Sequence, residues 1–105
     1  KGPSMKAQIK LTKTMLDKAI IDANSSVREF AFLQGIDFAN MQSGDRHQLT
    51  AFFSNGNETI INLYRTNNAR ADRRISIKGI KKHFKAGDTL TIEINNNQIL
   101  IRSHK

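Results

Sequence analysis

A chain of 105 residues carries 17 lysines and arginines against nine acids, a net charge of +8, and no cysteine. That length builds one hydrophobic core and not two, and the lack of cysteine removes disulfides, thiolate nucleophiles and thiolate metal sites together. No apolar run reaches membrane-spanning length and no secretory signal follows Met5, so a soluble protein with no membrane partner and a cytoplasmic location is expected.

In chain order, "KGPS" at residues 1–4 reads as the remnant of an expression tag, which leaves residues 5–105 as a single domain excised from a larger protein. "KAQIKL" at 6–11 alternates, with Ala7, Ile9 and Leu11 on one side, as a half-buried strand does. Thr14 and Asp17 resemble a capping pair opening a helix through Met15, Leu16, Ala19, Ile20 and Ala23, and "NSS" at 24–26 then interrupts it. Ser26 and Glu29 form a second capping pattern ahead of Val27, Phe30, Ala31 and Leu33, with Gly35 as the stop. Two short helices and one bent helix fit equally well. Turn residues at Ser43, Gly44 and Asp45 lead into the strand "HQLTAFF", and "SNGN" between it and "ETIINLYR" is a hairpin signal. "RRISI" is a further strand, "GIKKHFKAGD" a helical or turn segment, and "TLTIEI" with "QILIRS" a last hairpin. Strands that follow one another without crossover helices predict a mostly β, α+β domain: a small antiparallel open barrel of about six to seven strands with one or two short helices near the N-terminus.

The charge is concentrated. Residues 65–85 hold Arg65, Arg70, Arg73, Arg74, Lys78, Lys81, Lys82 and Lys85 against Asp72 alone, a net +7, while the remainder has nine basic and eight acidic residues. A near-neutral body with one cationic segment is the electrostatic footprint of a polyanion binder. Arginine suits bidentate contact with phosphate or with guanine O6 and N7, whereas lysine acts as a hydrated point charge. In "RTNNARADRR" the arginines are joined by Asn67 and Asn68, which suit adenine, and by Asp72, which suits a cytosine amino group or orients a neighbouring arginine. The plain alternative is a solvated cationic loop paired with acids elsewhere. Phe30, Phe53 and Phe84 sit at core-like positions, leaving Tyr64 as the evident stacking candidate. Single-strand binders interleave more exposed aromatics with basic groups, so duplex binding is preferred.

Catalytic chemistry finds little support. His47, His83 and His104 lie far apart in sequence, and there is no phosphate-cradling glycine loop, zincin pair or nucleophile elbow. A metal-dependent nuclease needs clustered carboxylates, usually with a lysine two residues after an acid; here Asp88 and Glu93 are followed by Asn95 in the lysine's place, and Glu93 reads as an outward strand residue. No metal and no cofactor are expected. A small basic ribonuclease working through Arg65, Arg73 and His83 without metal is the enzyme alternative.

The order of elements, through "LTKTMLDKAI", "HQLTAFF", "TIINLYR", "RADRRISIKGIKK" and "KAGDTLTIEI", resembles the B-three-like pseudobarrel DNA-recognition domains of plant transcription factors and of effector modules of some restriction endonucleases, over residues 6–102. The resemblance implies a pseudobarrel whose two arms grip the major groove. The family's C-terminal arm matches residues 66–74, which gives Arg70, Asp72, Arg73 and Arg74 a base-reading role, joined by Asn67 and Asn68, with Arg65, Lys78, Lys81 and Lys82 as flanking phosphate contacts. The N-terminal arm departs from the family: either residues 5–13 supply a short one, with Lys10 and Lys13 on the backbone, or residues 37–46 take its place. The implied function is sequence-specific binding of double-stranded DNA as the non-catalytic recognition module of a restriction or defence endonuclease, with other domains or subunits of that complex as further partners. An RNA-binding barrel and a binder of acidic protein are the other readings.

Overall fold

Alternation decides which side of each strand faces inward. In the computed structural model, which describes residues 6–103, the chain runs β1 (Lys6–Lys10), α1 (Lys13–Lys18), β2 (Ile21–Asp22), α2 (Ser25–Leu33), β3 (Arg46–Phe53), β4 (Glu58–Arg65), β5 (Arg73–Ile77), β6 (Thr89–Asn95) and β7 (Gln98–Ser103), with 3-10 turns at Phe38–Asn40 and Ile80–Lys82. Apolar residues recur at alternate positions through the middle of the long strands, and Ile9, Ala51, Ile61, Ile75, Ile92 and Ile101 all bury on the inner face of one curled sheet ordered β1-β6-β7-β3-β4-β5-β2. The expected open barrel with two short helices is present, and Phe30, Phe53 and Phe84 are in its core.

One junction differs from an all-antiparallel barrel: β3 and β7 run parallel, pairing Ala51, Phe52 and Phe53 with Ile99, Leu100 and Ile101. Parallel neighbours need a long crossover, supplied here by the whole excursion through β4, β5 and β6. The hairpin announced by "SNGN" joins β3 to β4 around a three-residue loop, 54–56, with Phe53 N donating to Asn57 O and Gly56 at φ +92°.

Helix α2 has the expected extent, whereas α1 is shorter than its apolar spacing predicts. Helix α1 stops at Lys18 and Ala19 turns left-handed, because Ile21 leaves the helical path to pair with Ile75 of β5. Strand pairing and burial of Ile21 thus override helical spacing at Ile20 and Ala23. The caps also shift. Thr12, rather than Thr14, accepts from Met15 N, while Asp17 pairs with Lys13 at 2.7 Å; Asn24, rather than Ser26, caps α2 by accepting from Val27 N.

Asn24 does more than cap. Strands β1 and β2 are the two edges of the sheet, and Gln8 turns its backbone polar groups toward the gap. Asn24 Nδ2 donates to Gln8 O at 2.9 Å, and Gln8 N donates to Ser26 Oγ at 3.1 Å, so the first turn of α2 satisfies the β1 edge much as another strand would. The adjoining Ala23 N bonds Arg73 O beside β2, and one short segment therefore spans both edges.

Strand β5 carries the cationic segment along one side of the barrel. Its arginines begin at one end of the strand; Lys78 and the turn Ile80–Lys82 lie at the other, roughly 17 Å away at about 3.3 Å per residue.

Removing the clasp tests its weight. Asn24→Ala, which loses both the cap and the bond to Gln8, should lower unfolding stability in urea by about 1–2 kcal/mol. Asn24→Asp keeps the oxygen that accepts from Val27 but loses the amide donor, and should fall between the Ala variant and the parent chain.

Candidate nucleic-acid interface

The β4–β5 connection, residues 66–72, is built by its own polar side chains. Thr66 N donates to Asp72 O at 2.9 Å and Asp72 N donates to Thr66 Oγ1 at 2.7 Å, closing the base of the loop. Asn68 Oδ1 then accepts from the Thr66 hydroxyl and from the backbone N–H groups of Arg70 and Ala71, at 2.9, 3.1 and 2.9 Å. Such side-chain-to-backbone bonding is what favours Asn in tight turns, and it holds Ala71 at φ +49°. Arg65 braces the loop from the strand: its Nε donates to Ala71 O at 2.9 Å and its Nη1 to Met41 O at 2.8 Å.

Around this loop the arginines gather rather than scatter. A cleft of about 320 Å³ is walled by Arg28, Arg65, Arg70 and Arg73 together with Asp22 and Asp72. Arg28 comes from the first turns of α2 and is aimed by donating to Ala23 O at 2.6 Å. Asp72, with its side chain only 18% exposed, pairs with Arg74 at 2.9 Å and with Arg70 at 3.4 Å, and Arg74 Nε also lies 3.6 Å from Asp22. Arg73 is exposed and makes no side-chain hydrogen bond or ion pair among the described residues. Four arginines and two aspartates thus share one concave surface, and among the described residues Arg73 is the arginine of the four whose guanidinium has no partner.

Each residue singled out in the sequence now has a place. Arg70 and Arg73 stand at the cleft with Arg65 behind them. Asn68 spends its oxygen inside the loop, so the bidentate contact with adenine expected of it is incompatible with this conformation; only its amide nitrogen remains free. Asp72 likewise has both oxygens engaged, which favours the arginine-orienting role over contact with cytosine. Arg74, on the outer face of β5, is 20% exposed and tied to two acids. Asn67 is exposed and lies near Gly44, whose added Cβ would stand 3.8 Å from Asn67 Cγ.

The lysines expected to flank the loop do not sit beside it. Lys78, Lys81 and Lys82 occupy the far end of β5, and Lys10 and Lys13 share that end, since Lys10 pairs with Thr89 and Leu11 N bonds Asp88 O. Of the two candidate second arms, residues 37–46 run next to the arginine loop, with Gly44 N bonded to Arg65 O and Arg65 N to Asp45 O, whereas the described residues of 5–13 form β1 and the start of α1. His83 stacks on Phe53 at the lysine end, ring centroids 3.7 Å apart, so the set Arg65, Arg73 and His83 is not brought together. His104 lies outside the described residues. Glu93 is on the outer face of β6, opposite Lys6, and among the described residues no three of His, Cys, Asp and Glu converge on a metal-sized site.

Two residues were missed in sequence. Arg28 is an isolated helical arginine with no linear signal; only the fold of α2 over the β1 edge brings it to the cleft. Arg46 stands opposite Tyr64 across β3 and β4, its Cζ 4.6 Å from the ring centroid, so that one face of the tyrosine is already covered by a cation. The hairpin register would have disclosed that pair. No protein-family model, curated protein or solved structure matches the chain.

If Asn68 sets the shape of the loop, Asn68→Ala should speed hydrogen exchange at the Arg70 amide by about fivefold, as expected for losing a bond of about 1 kcal/mol, and by less at Ala71, whose N–H keeps the backbone carbonyl of residue 68 as a partner. Amides of β4 should exchange as before.

Proposed function

We propose that the domain binds double-stranded DNA without catalysis and reads a short sequence in the major groove through the loop 66–72. The observation that carries this reading is the convergence of Arg28, Arg65, Arg70 and Arg73 on one cleft beside a loop whose shape is set by its own hydrogen bonds. A loop already ordered loses little conformational entropy on binding, and guanidinium planes suit both phosphate oxygens and the O6 and N7 edge of guanine.

Within this proposal Arg73, unpaired inside the protein, takes a base edge, with Arg70 beside it. Asp72 and Arg74 aim Arg70 and keep the loop base rigid. Arg28 and Arg65, set further back, hold phosphate, and residues 37–46 form the second wall of the grip. Placement in a restriction or defence endonuclease rests on the resemblance of the element order to the B-three-like recognition domains, in which residues 66–74 would take the place of the C-terminal arm.

Selection from a randomised duplex library, repeated with methylated pools, gives the site, and variants then separate the roles. Arg73→Ala should cost about 1–3 kcal/mol on the selected site and relax preference at one base pair. Arg28→Ala should weaken all duplexes alike and reduce the salt dependence by about one counterion. Uniform loss of affinity with unchanged preference in Arg73→Ala overturns the readout. Stronger binding of single-stranded or structured RNA than of duplex DNA at fixed salt gives the site to RNA instead.

A further inference from the structure

The opposite end of the barrel has a different surface. Helix α1, β2, the end of β5 and the turn Ile80–Lys82 enclose a groove of about 270 Å³ whose walls are Met15, Leu16, Ala19, Ile21, Ile77 and Ile80. Lys81 and Lys82 complete its lining, and Lys18 and Lys78 adjoin it in the chain. All four lysines are exposed and none makes an ion pair among the described residues, whereas Lys13, at the start of α1, is taken by Asp17. Among the described residues no acid lines the groove.

We infer that this groove docks an acidic segment of a partner protein bearing apolar side chains. An apolar floor with a cationic rim asks for two things at once: aliphatic or aromatic groups to cover the floor, and carboxylates for the lysines. Duplex DNA offers the charge but its backbone leaves the floor wet. A second copy of the chain, at net +8, brings the wrong sign. A peptide in which acidic and large apolar residues are interleaved meets both demands, and its apolar side chains enter between α1 and the 3-10 turn. The groove is centred on Ile77 to Lys82 and the arginine cleft on Arg65 to Arg73, with the neighbours Ile21 and Asp22 lining one each, so a peptide seated over Met15 and Ile80 and the polyanion proposed above bind without excluding each other.

The test uses the whole chain and a labelled peptide in which leucine and phenylalanine alternate with glutamate and aspartate. Binding followed by anisotropy should be saturable, and methyl resonances of Met15, Ile21, Ile77 and Ile80 should shift while Ala71 and the arginine loop do not. Met15→Glu should lower peptide affinity by about tenfold or more and leave duplex binding at the parent level, since it removes apolar contact and places a like charge in the groove. Lys81→Glu with Lys82→Glu should weaken the peptide further. A peptide with its apolar residues replaced by serine that binds as well, shifts confined to the arginine end, or displacement of the peptide by duplex DNA would each overturn the inference. Because the methyl map needs no variant, an unstable Met15→Glu does not remove the test, and failure of DNA binding leaves it intact.

Discussion

The bond between Asn24 and the backbone of Gln8 is the constraint on which the rest is arranged. A seven-stranded sheet that curls without closing leaves two edges, and an edge that faces the interior without partners costs unmet hydrogen bonds. The chain answers with side chains in place of an eighth strand: Asn24 and Ser26 hold the Gln8 N–H and carbonyl while Asn24 also starts α2. The helix is therefore placed by the sheet edge. Its apolar side, Val27, Phe30 and Ala31, packs into the core, and Arg28, on the same first turns, is delivered to the side where β4 and β5 hand over to their loop.

That delivery explains how so much positive charge is tolerated in one place. Arg28 and Arg65 each give N–H groups to backbone carbonyls, and Asp72 sits between Arg70 and Arg74. Exposed ion pairs contribute little to stability. Their value here is geometric: carbonyls and one half-buried carboxylate fix where the guanidinium planes stand, and of these arginines Arg73 has no side-chain partner among the described residues.

Local rules made most of the sheet legible. Alternation located every long strand to within a residue or so, "SNGN" located the central hairpin, and the Asn-rich turn at 95–97 located the last one. What local rules missed depended on distant partners. Ile20 and Ala23 have helical spacing, yet Ile21 leaves the helix for Ile75, a residue more than fifty positions away in the chain. The parallel contact of β3 with β7 has no local signature at all. The same holds for the site. The cationic loop was visible as composition, but its asparagine and aspartate looked like reading groups because nothing local says that their oxygens are already engaged. Arg28 was invisible for the opposite reason, being a single charge made relevant only by the edge of β1. Reading Lys78, Lys81 and Lys82 as neighbours of the loop confused proximity in sequence with proximity in space, which a strand between them abolishes.

The paired bonds between Thr66 and Asp72 have a consequence beyond holding the loop in shape. They form a neck: the barrel ends below them, and the residues above, 67–70, are exposed and bury nothing in the core. A loop separated from its scaffold in this way is a cassette. The exposed side chains of Asn67, Ala69 and Arg70 can be exchanged without repacking the barrel, so the surface presented here and the fold beneath it are free to vary independently, provided that Thr66, Asn68 and Asp72 stay to close the frame.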